Sequence, residues 1–165
     1  MANKVYITDA QTKVKIPSGT RLLIRRCCNA VVENEDFPYP VEVSVTLIDN
    51  VEIKKLNEEY LNKAVPTDVL SFPLYEDGNF DDIPNDTEIV ALGDIVISIE
   101  KAVEQADKYN HSLQREIGYL MVHAMLHLFG YNHEEGGLPE VRMREKEETV
   151  LKQLGLSRGF NYVLE

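Results

Sequence analysis

Three of the four histidines in this chain of 165 residues lie in one short stretch, HAMLHLFGYNH. His123 and His127 are four residues apart, so on a helix they project side by side from successive turns. Gly130 accepts a positive φ at little cost and lets the chain reverse, which allows His133 to return to the same point. The pattern is therefore His-x3-His-x5-His with a glycine at the bend, inside the most apolar part of the sequence.

This spacing points to metal chemistry. Each unsatisfied polar group in a protein interior costs about 1–3 kcal/mol, and three imidazoles on one buried face are hard to satisfy separately. One divalent cation satisfies all three, so we predict a single zinc ion on His123, His127 and His133. Three ligands leave a fourth position open, as in catalytic zinc sites. Two alternatives stay open: three independent structural histidines, or a closed structural site with Glu134 or Glu135 as the fourth ligand.

The residue after the first histidine limits the reactions that such a zinc could serve. Peptidases of the His-Glu-x-x-His type need a glutamate there as general base, and this chain has Ala124. Proteolysis is therefore a secondary hypothesis. His111, twelve residues before His123, is predicted to be a surface or capping residue outside the site.

The elements that must position the histidines alternate between strands and helices. The order contains no simple βαβ repeat and no glycine-rich phosphate loop, which predicts an α+β domain with a small mixed sheet packed against helices. The histidine-bearing helix is apolar nearly all round after a polar start, so it is expected at the centre. The acidic, turn-rich segment 75–88 is predicted to be a solvated loop. Strands are predicted at 4–11, 41–49, 67–73 and 89–99, and helices at 17–35, 49–62, 100–110, 112–129 and 138–156.

Composition bounds the remaining possibilities. The length favours one domain, 1–165, and the formal net charge of -11 makes nucleic acid an awkward partner unless a local cation offsets it. Cys27 and Cys28 are adjacent, which excludes a disulfide framework and fits a reducing compartment. The start of the chain has no secretory signal pattern, and the longest nearly apolar stretch, 117–131, is short of a membrane span. We therefore predict a cytoplasmic protein.

Three stretches that follow one another along the chain match the motifs of one protein family. They are NEEYLNKAVPTDVLSFP at 57–73, LGDIVIS at 92–98 and HAMLHLFGYNH, where the family pattern is His-x-x-x-His-x-x-Gly-Tyr-Asp-His. On these residues the chain resembles the YbeY-type endoribonucleases of bacterial ribosome maturation, over about residues 41–156.

The resemblance implies a zincin-like fold, with zinc on the same three histidines. It implies a single-strand-specific endoribonuclease of rRNA processing, notably of 16S rRNA 3′-end maturation, and of ribosome quality control. Single-stranded RNA is then the substrate, and the small ribosomal subunit and an assembly GTPase are the implied partners. The expected reaction is metal-assisted phosphodiester hydrolysis, with His123 and Lys63 as the expected catalytic residues.

Three positions within the matching motifs depart from the family pattern. The second motif of the family reads Tyr-Arg-x-Lys-Asp, whereas this chain reads YLNKA, with Leu61 at the arginine position, Ala64 at the aspartate position and Lys63 retained. Leucine cannot supply the bidentate donors that arginine offers a phosphate. Asn132 replaces the aspartate before the last histidine, so a carboxylate that orients a ligand is missing or comes from elsewhere. Four polar residues of the matching strands are expected near the cleft, as site contacts or as local backbone partners: Thr67, Asp68, Ser71 and Asp94.

Two other functions remain as alternatives. Leu61 favours a zinc-binding ribosome-assembly factor with weak or no nuclease activity. A metal-dependent hydrolase of a peptide or small molecule is the other, and Ala124 argues against it.

Overall fold

The computed structural model describes residues 2–61, 67–131 and 137–156, without the side chain at position 77. In this part of the chain there are four strands, five α-helices and one short 3₁₀ helix at Glu76–Gly78. The strands are β1 Lys4–Asp9, β2 Val41–Ile48, β3 Val69–Pro73 and β4 Val90–Ser98. The helices are α1 Thr20–Asn34, α2 Asn50–Leu61, α3 Ile99–Lys108, α4 Leu113–Leu128 and α5 Gly137–Gln153.

The strands form one mixed sheet in the order β1-β2-β4-β3. β1, β2 and β4 are parallel, and β3 pairs antiparallel with β4 at one edge. This confirms the predicted α+β class with a small mixed sheet. One detail was not predicted: β1, α1 and β2 form a single βαβ unit, because the first two strands are parallel and joined through a helix.

The two faces of the sheet are covered unequally. The larger core contains buried side chains from α1, α4 and α5 together with the inward residues of β2 and β4. The opposite face carries only a small cluster, in which Ile53 of α2 packs with Ile48, Leu70 and Val96. The predicted central position of the histidine-bearing helix is confirmed, since α4 packs against α1, α3, α5, β3 and β4.

The ends of two helices follow the signals in the sequence. Asp49 accepts a hydrogen bond from the backbone N–H of Glu52 at 2.9 Å, as expected at the start of α2. After α4, Gly130 adopts a φ of 99°, and the N–H of Tyr131 donates to the carbonyl of Leu126 at 3.0 Å. This six-to-one hydrogen bond closes a Schellman motif, so the chain reverses where Gly130 predicted.

Helix α1 buries both cysteines. Cys27 and Cys28 are free thiols with no exposed surface, and burial raises the pKa of each to about 12. They are therefore protonated at neutral pH and act as small apolar side chains. On the same helix, Leu22 is 61% exposed, whereas Ile24 is buried.

The acidic segment 75–88 is only partly a solvated loop. Tyr75, Phe80 and Ile83 pack against the larger core. The Phe80 ring lies 4.9 Å from that of Phe37 and 5.9 Å from that of Phe129, in edge-to-face geometry. The expectation of a fully solvated loop was wrong because widely spaced aromatic residues in an acidic run can still be buried one at a time.

Gly93 is the position at which the sheet tolerates no side chain. The register of β2 and β4 shifts here, with Val43 opposite Gly93, and a Cβ at Gly93 would lie 2.3 Å from the backbone oxygen of Phe72. We expect Gly93→Ala to lower the free energy of unfolding by more than about 2 kcal/mol, because neighbouring backbone must move. Denaturant unfolding measures this loss. Gly19→Ala is the matched control, since Gly19 also has a positive φ but no atom within 4 Å of its added Cβ; an equal loss in both variants would contradict the expectation.

Candidate metal centre

Helix α4 exposes one stripe of side chains near the predicted metal site. From Arg115 to Phe129 every residue is buried except Tyr119, His123 and His127, which are partly exposed. These three are spaced by four residues, so they lie above one another on successive turns. A buried helix therefore opens to the surface along the line that carries its two histidines.

The two histidines converge on one point. Their Nε2 atoms are 3.2 Å apart, and their rings are 4.8 Å apart at 77°. Two nitrogens that each lie about 2.0–2.1 Å from a tetrahedral zinc ion are separated by about 3.3 Å, so the observed separation suits a shared ion. It also permits one N–H···N hydrogen bond between the rings. The pair thus fits the two-ligand half of the predicted centre.

A buried carboxylate contacts Nδ1 of His123, the ring nitrogen that does not face His127. Glu147 of α5 accepts a hydrogen bond from Nδ1 of His123, and its residue exposure is 6%. With the proton on Nδ1, the Nε2 atom of His123 presents its lone pair toward His127. Histidines that bind metals are commonly oriented by such a carboxylate. The carboxylate that Asn132 cannot provide is therefore available on another helix.

A second cluster fixes the chain just before the third predicted ligand. The hydroxyl of Tyr131 donates to Glu35 at 3.2 Å, and Lys146 of α5 is 3.1 Å from the same carboxylate. Burial and the hydrogen bond to Glu35 raise the pKa of Tyr131, so its phenol stays protonated. The hydrogen bond to Glu35 raises the pKa of Lys146. The residue that follows Gly130 is thereby tied to the end of α1 and, through Glu35, to α5.

Several predicted site residues lie outside the described part of the chain. Among the described residues, no group of three His, Cys, Asp or Glu side chains is arranged to hold a metal. The structure therefore brings together two of the three predicted ligands and leaves the third untested. The predicted residues outside the described ranges are Lys63, Asn132, His133, Glu134 and Glu135.

The polar residues of the matching strands separate into different environments. Asp68 accepts a backbone hydrogen bond from Val69 at 2.7 Å and a longer one from Gln105 at 3.4 Å. Asp94 is exposed and pairs in register with Phe72, whose side chain belongs to the α2 face of the sheet. It therefore lies on the same face of the sheet as α2, and its position near the cleft stays a prediction. Thr67 and Ser71 are partly exposed.

His111 was predicted to be a surface or capping residue. Its backbone N–H donates to the carbonyl of Ala106 at 3.0 Å and so caps the end of α3, while its side chain is largely buried. Its Nε2 lies 2.6 Å from Oε1 of Glu116, and the two side chains are 9% and 3% exposed. The same carboxylate accepts a hydrogen bond from Gln105 at 2.6 Å through Oε2. His111 therefore links the turn before α4 to a buried polar network, and it does not join the other two histidines.

Glu147 is the candidate site residue that the sequence reasoning missed. Its neighbours on the inner side of α5 are Met143, Val150 and Leu151, all buried. Glu147 thus occupies an apolar position of an otherwise amphipathic helix. That mismatch was visible in the sequence, because a carboxylate on a buried stripe requires a partner.

Fold and site together define a class: an α+β domain in which a central helix presents His-x3-His, with a carboxylate from the last helix behind one ring. The family model for Endoribonuclease YbeY matches residues 6–155. A protein named Endoribonuclease YbeY from Caldanaerobacter subterraneus subsp. tengcongensis is 49% identical over 161 residues, covering 93% of this chain and 99% of the relative. Another of that name, from Acetivibrio thermocellus, is 40% identical over 162 residues, covering 94% of this chain and 99% of the relative.

The chain belongs to the Endoribonuclease YbeY family, which confirms the resemblance seen in its motifs. The solution structure of TM1509 from Thermotoga maritima is similar, with a TM-score of 0.57 and 25% identity over 92% of this chain and 91% of that one. Within the described ranges, no helix has both the length and the apolar composition needed to cross a membrane.

Proposed function

We propose that this protein is a zinc-dependent, single-strand-specific endoribonuclease of rRNA processing. The observation that carries the proposal is the pair of Nε2 atoms 3.2 Å apart on α4, with Glu147 behind His123, in a chain of an endoribonuclease family. The finer assignments, which follow the family resemblance, are 16S rRNA 3′-end maturation, ribosome quality control, a cytoplasmic location, and the small ribosomal subunit and an assembly GTPase as partners.

In this proposal His123 and His127 hold the zinc ion together with His133. When bound, zinc supplies a Lewis acid and a source of hydroxide at neutral pH. Glu147 keeps the proton of His123 on Nδ1, which directs the Nε2 lone pair outward. Lys63, retained from the family motif, donates to the substrate phosphate as a point charge. A local cation also offsets the acidic exterior, whose formal net charge of -11 would otherwise repel RNA.

The test is a chelator-controlled digest. Purified protein is incubated with a single-stranded rRNA fragment and with the same fragment annealed to its complement, each with and without a metal chelator. We expect cleavage of the single strand alone, its loss on chelation, and its recovery when zinc is returned. Cleavage that persists in full after the zinc has been removed would overturn the zinc mechanism. The absence of any cleavage by wild-type protein would overturn the proposed nuclease activity.

A second function is favoured by one residue, Leu61. It is the last residue of α2, is 50% exposed, and offers no hydrogen-bond donor where the family has arginine. A zinc-binding assembly factor with little nuclease activity fits that substitution. The digest separates the two functions, because an assembly factor of this kind binds rRNA or ribosomal subunits without cutting.

Leu61→Arg tests how much RNA cleavage is slowed by the absence of a hydrogen-bond donor at this position. A charge-assisted bidentate contact to phosphate is among the stronger hydrogen bonds, so we expect the variant to cleave single-stranded RNA about tenfold faster under single-turnover conditions. Leu61→Gln is the control, since it adds polarity without charge. Equal rates for wild type and Leu61→Arg would mean that another group of this chain already contacts the phosphate.

A further inference from the structure

A small cavity adjoins the candidate metal centre on the side of α5. It has a volume of about 80 Å³ and lies between α4 and α5. Its walls are formed by Tyr119, His123, Glu140, Met143, Arg144 and Glu147. One predicted zinc ligand and one arginine therefore line the same space.

The charged side chains that line this cavity are not equally available to bind a ligand. Glu147 is buried and engaged by His123, so it is not available to a ligand. The Arg144 side chain is 67% exposed and lies 2.7 Å from Glu140, whose side chain is 38% exposed. An exposed pair of this kind is worth about 0–1 kcal/mol, so a phosphate can replace Glu140 as the partner of Arg144 at little cost.

Guanidinium is the group best suited to that exchange. It offers planar paired donors that match two oxygens of a phosphate and it is always charged. Leu61 cannot play this part at the position where the family has arginine. Among the residues that line the cavity, Arg144 is the only one with a cationic side chain.

We propose that Arg144 binds a backbone phosphate of the single-stranded RNA substrate, in the cavity beside His123. This assignment deepens the proposed function and rests on it for the identity of the ligand. It makes Arg144 a substrate-binding residue on α5, a helix on which the family motifs quoted above place no site residue.

The experiment compares Arg144→Gln with Arg142→Gln. Arg142 is two residues away on α5, is also exposed, and lines a different depression beside Tyr131 and Lys146. Both variants lose the same charge, so long-range electrostatics change equally. Binding of a fluorescein-labelled single-stranded 12-mer RNA to the zinc-loaded proteins is measured by anisotropy at low temperature and several salt concentrations, with intact RNA checked on gels.

We expect Arg144→Gln to weaken RNA binding about tenfold and to lower the slope of log K against log salt by about 0.7, the loss of one phosphate contact on a single strand. Arg142→Gln should stay within about twofold of wild type. Zinc content should be unchanged in both, because neither residue is a ligand. Equal effects of the two substitutions, or no effect of Arg144→Gln, would overturn the assignment.

Two further variants keep the test decisive if Arg144→Gln does not fold. Arg144→Lys keeps the positive charge but lacks the paired N–H donors of guanidinium. Its affinity for RNA should therefore lie between those of Arg144→Gln and wild type. Glu140→Gln removes the competing carboxylate and should tighten RNA binding more than Glu145→Gln, which lies outside the cavity. Equal RNA affinities of Glu140→Gln and Glu145→Gln would overturn the assignment. Wild-type protein that neither binds nor cleaves RNA would instead overturn the proposed function.

Discussion

His127→Ala is expected to reduce bound zinc from about one ion per chain to a small fraction of that, and to abolish RNA cleavage. His127 contributes one of the two Nε2 atoms that converge on α4, and a three-ligand site that loses one ligand retains little affinity. Elemental analysis of purified wild type and variant, each normalised to protein concentration, measures the loss. We expect circular dichroism to show that the variant is still folded, since His127 is partly exposed and the helix around it is held by apolar packing.

The matched control for this prediction is the fourth histidine. His111→Ala removes the same side chain from the turn before α4, where its partner is Glu116. We expect the control to keep its zinc, although its stability falls because a buried carboxylate loses a partner. Two results would contradict the metal site: wild-type protein that is folded and active without zinc, or His127→Ala that retains as much zinc as the control.

Glu147→Leu is the second substitution with a large expected effect, which is a loss of zinc affinity. It leaves Nδ1 of His123 without its carboxylate, and loss of such an orienting group typically costs 10–100-fold in metal affinity or activity. The inner side of α5 around Glu147 is apolar, with Met143 and Leu151 buried, so leucine suits the packing and the helix should remain docked. Competition with a chelator of known zinc affinity measures the metal, and thermal unfolding of the metal-free protein measures the packing.

Two comparisons identify the reason for the loss. Glu147→Gln keeps a hydrogen-bonding side chain of the same length without the charge, so its zinc affinity should lie between those of Glu147→Leu and wild type. Glu145→Gln removes a carboxylate from an exposed position of the same helix and should leave zinc binding unchanged. A Glu147→Leu protein that binds zinc as tightly as wild type would show that the contact to His123 serves only the packing of α5.

Local patterns predicted most of the elements correctly. The four strands and five helices of the described part all fall within predicted segments to within about a residue, and the larger core is built from the apolar stripes of those segments. The solvated loop predicted at 75–88 failed because it was assigned from the polarity of neighbours in the sequence. The burial of Phe80 depends instead on Phe37 and Phe129, which pack against it from elsewhere in the chain.

The sequence by itself determined the pairing of His123 with His127 and the reversal at Gly130, because helical periodicity and the conformational freedom of glycine act over a few residues. Only the tertiary structure decided that Glu147, 24 residues beyond His123, meets its Nδ1 atom, and that Arg144 shares a cavity with it. Both contacts depend on how α5 packs against α4. That packing follows from the shape of the whole core, which no local pattern specifies.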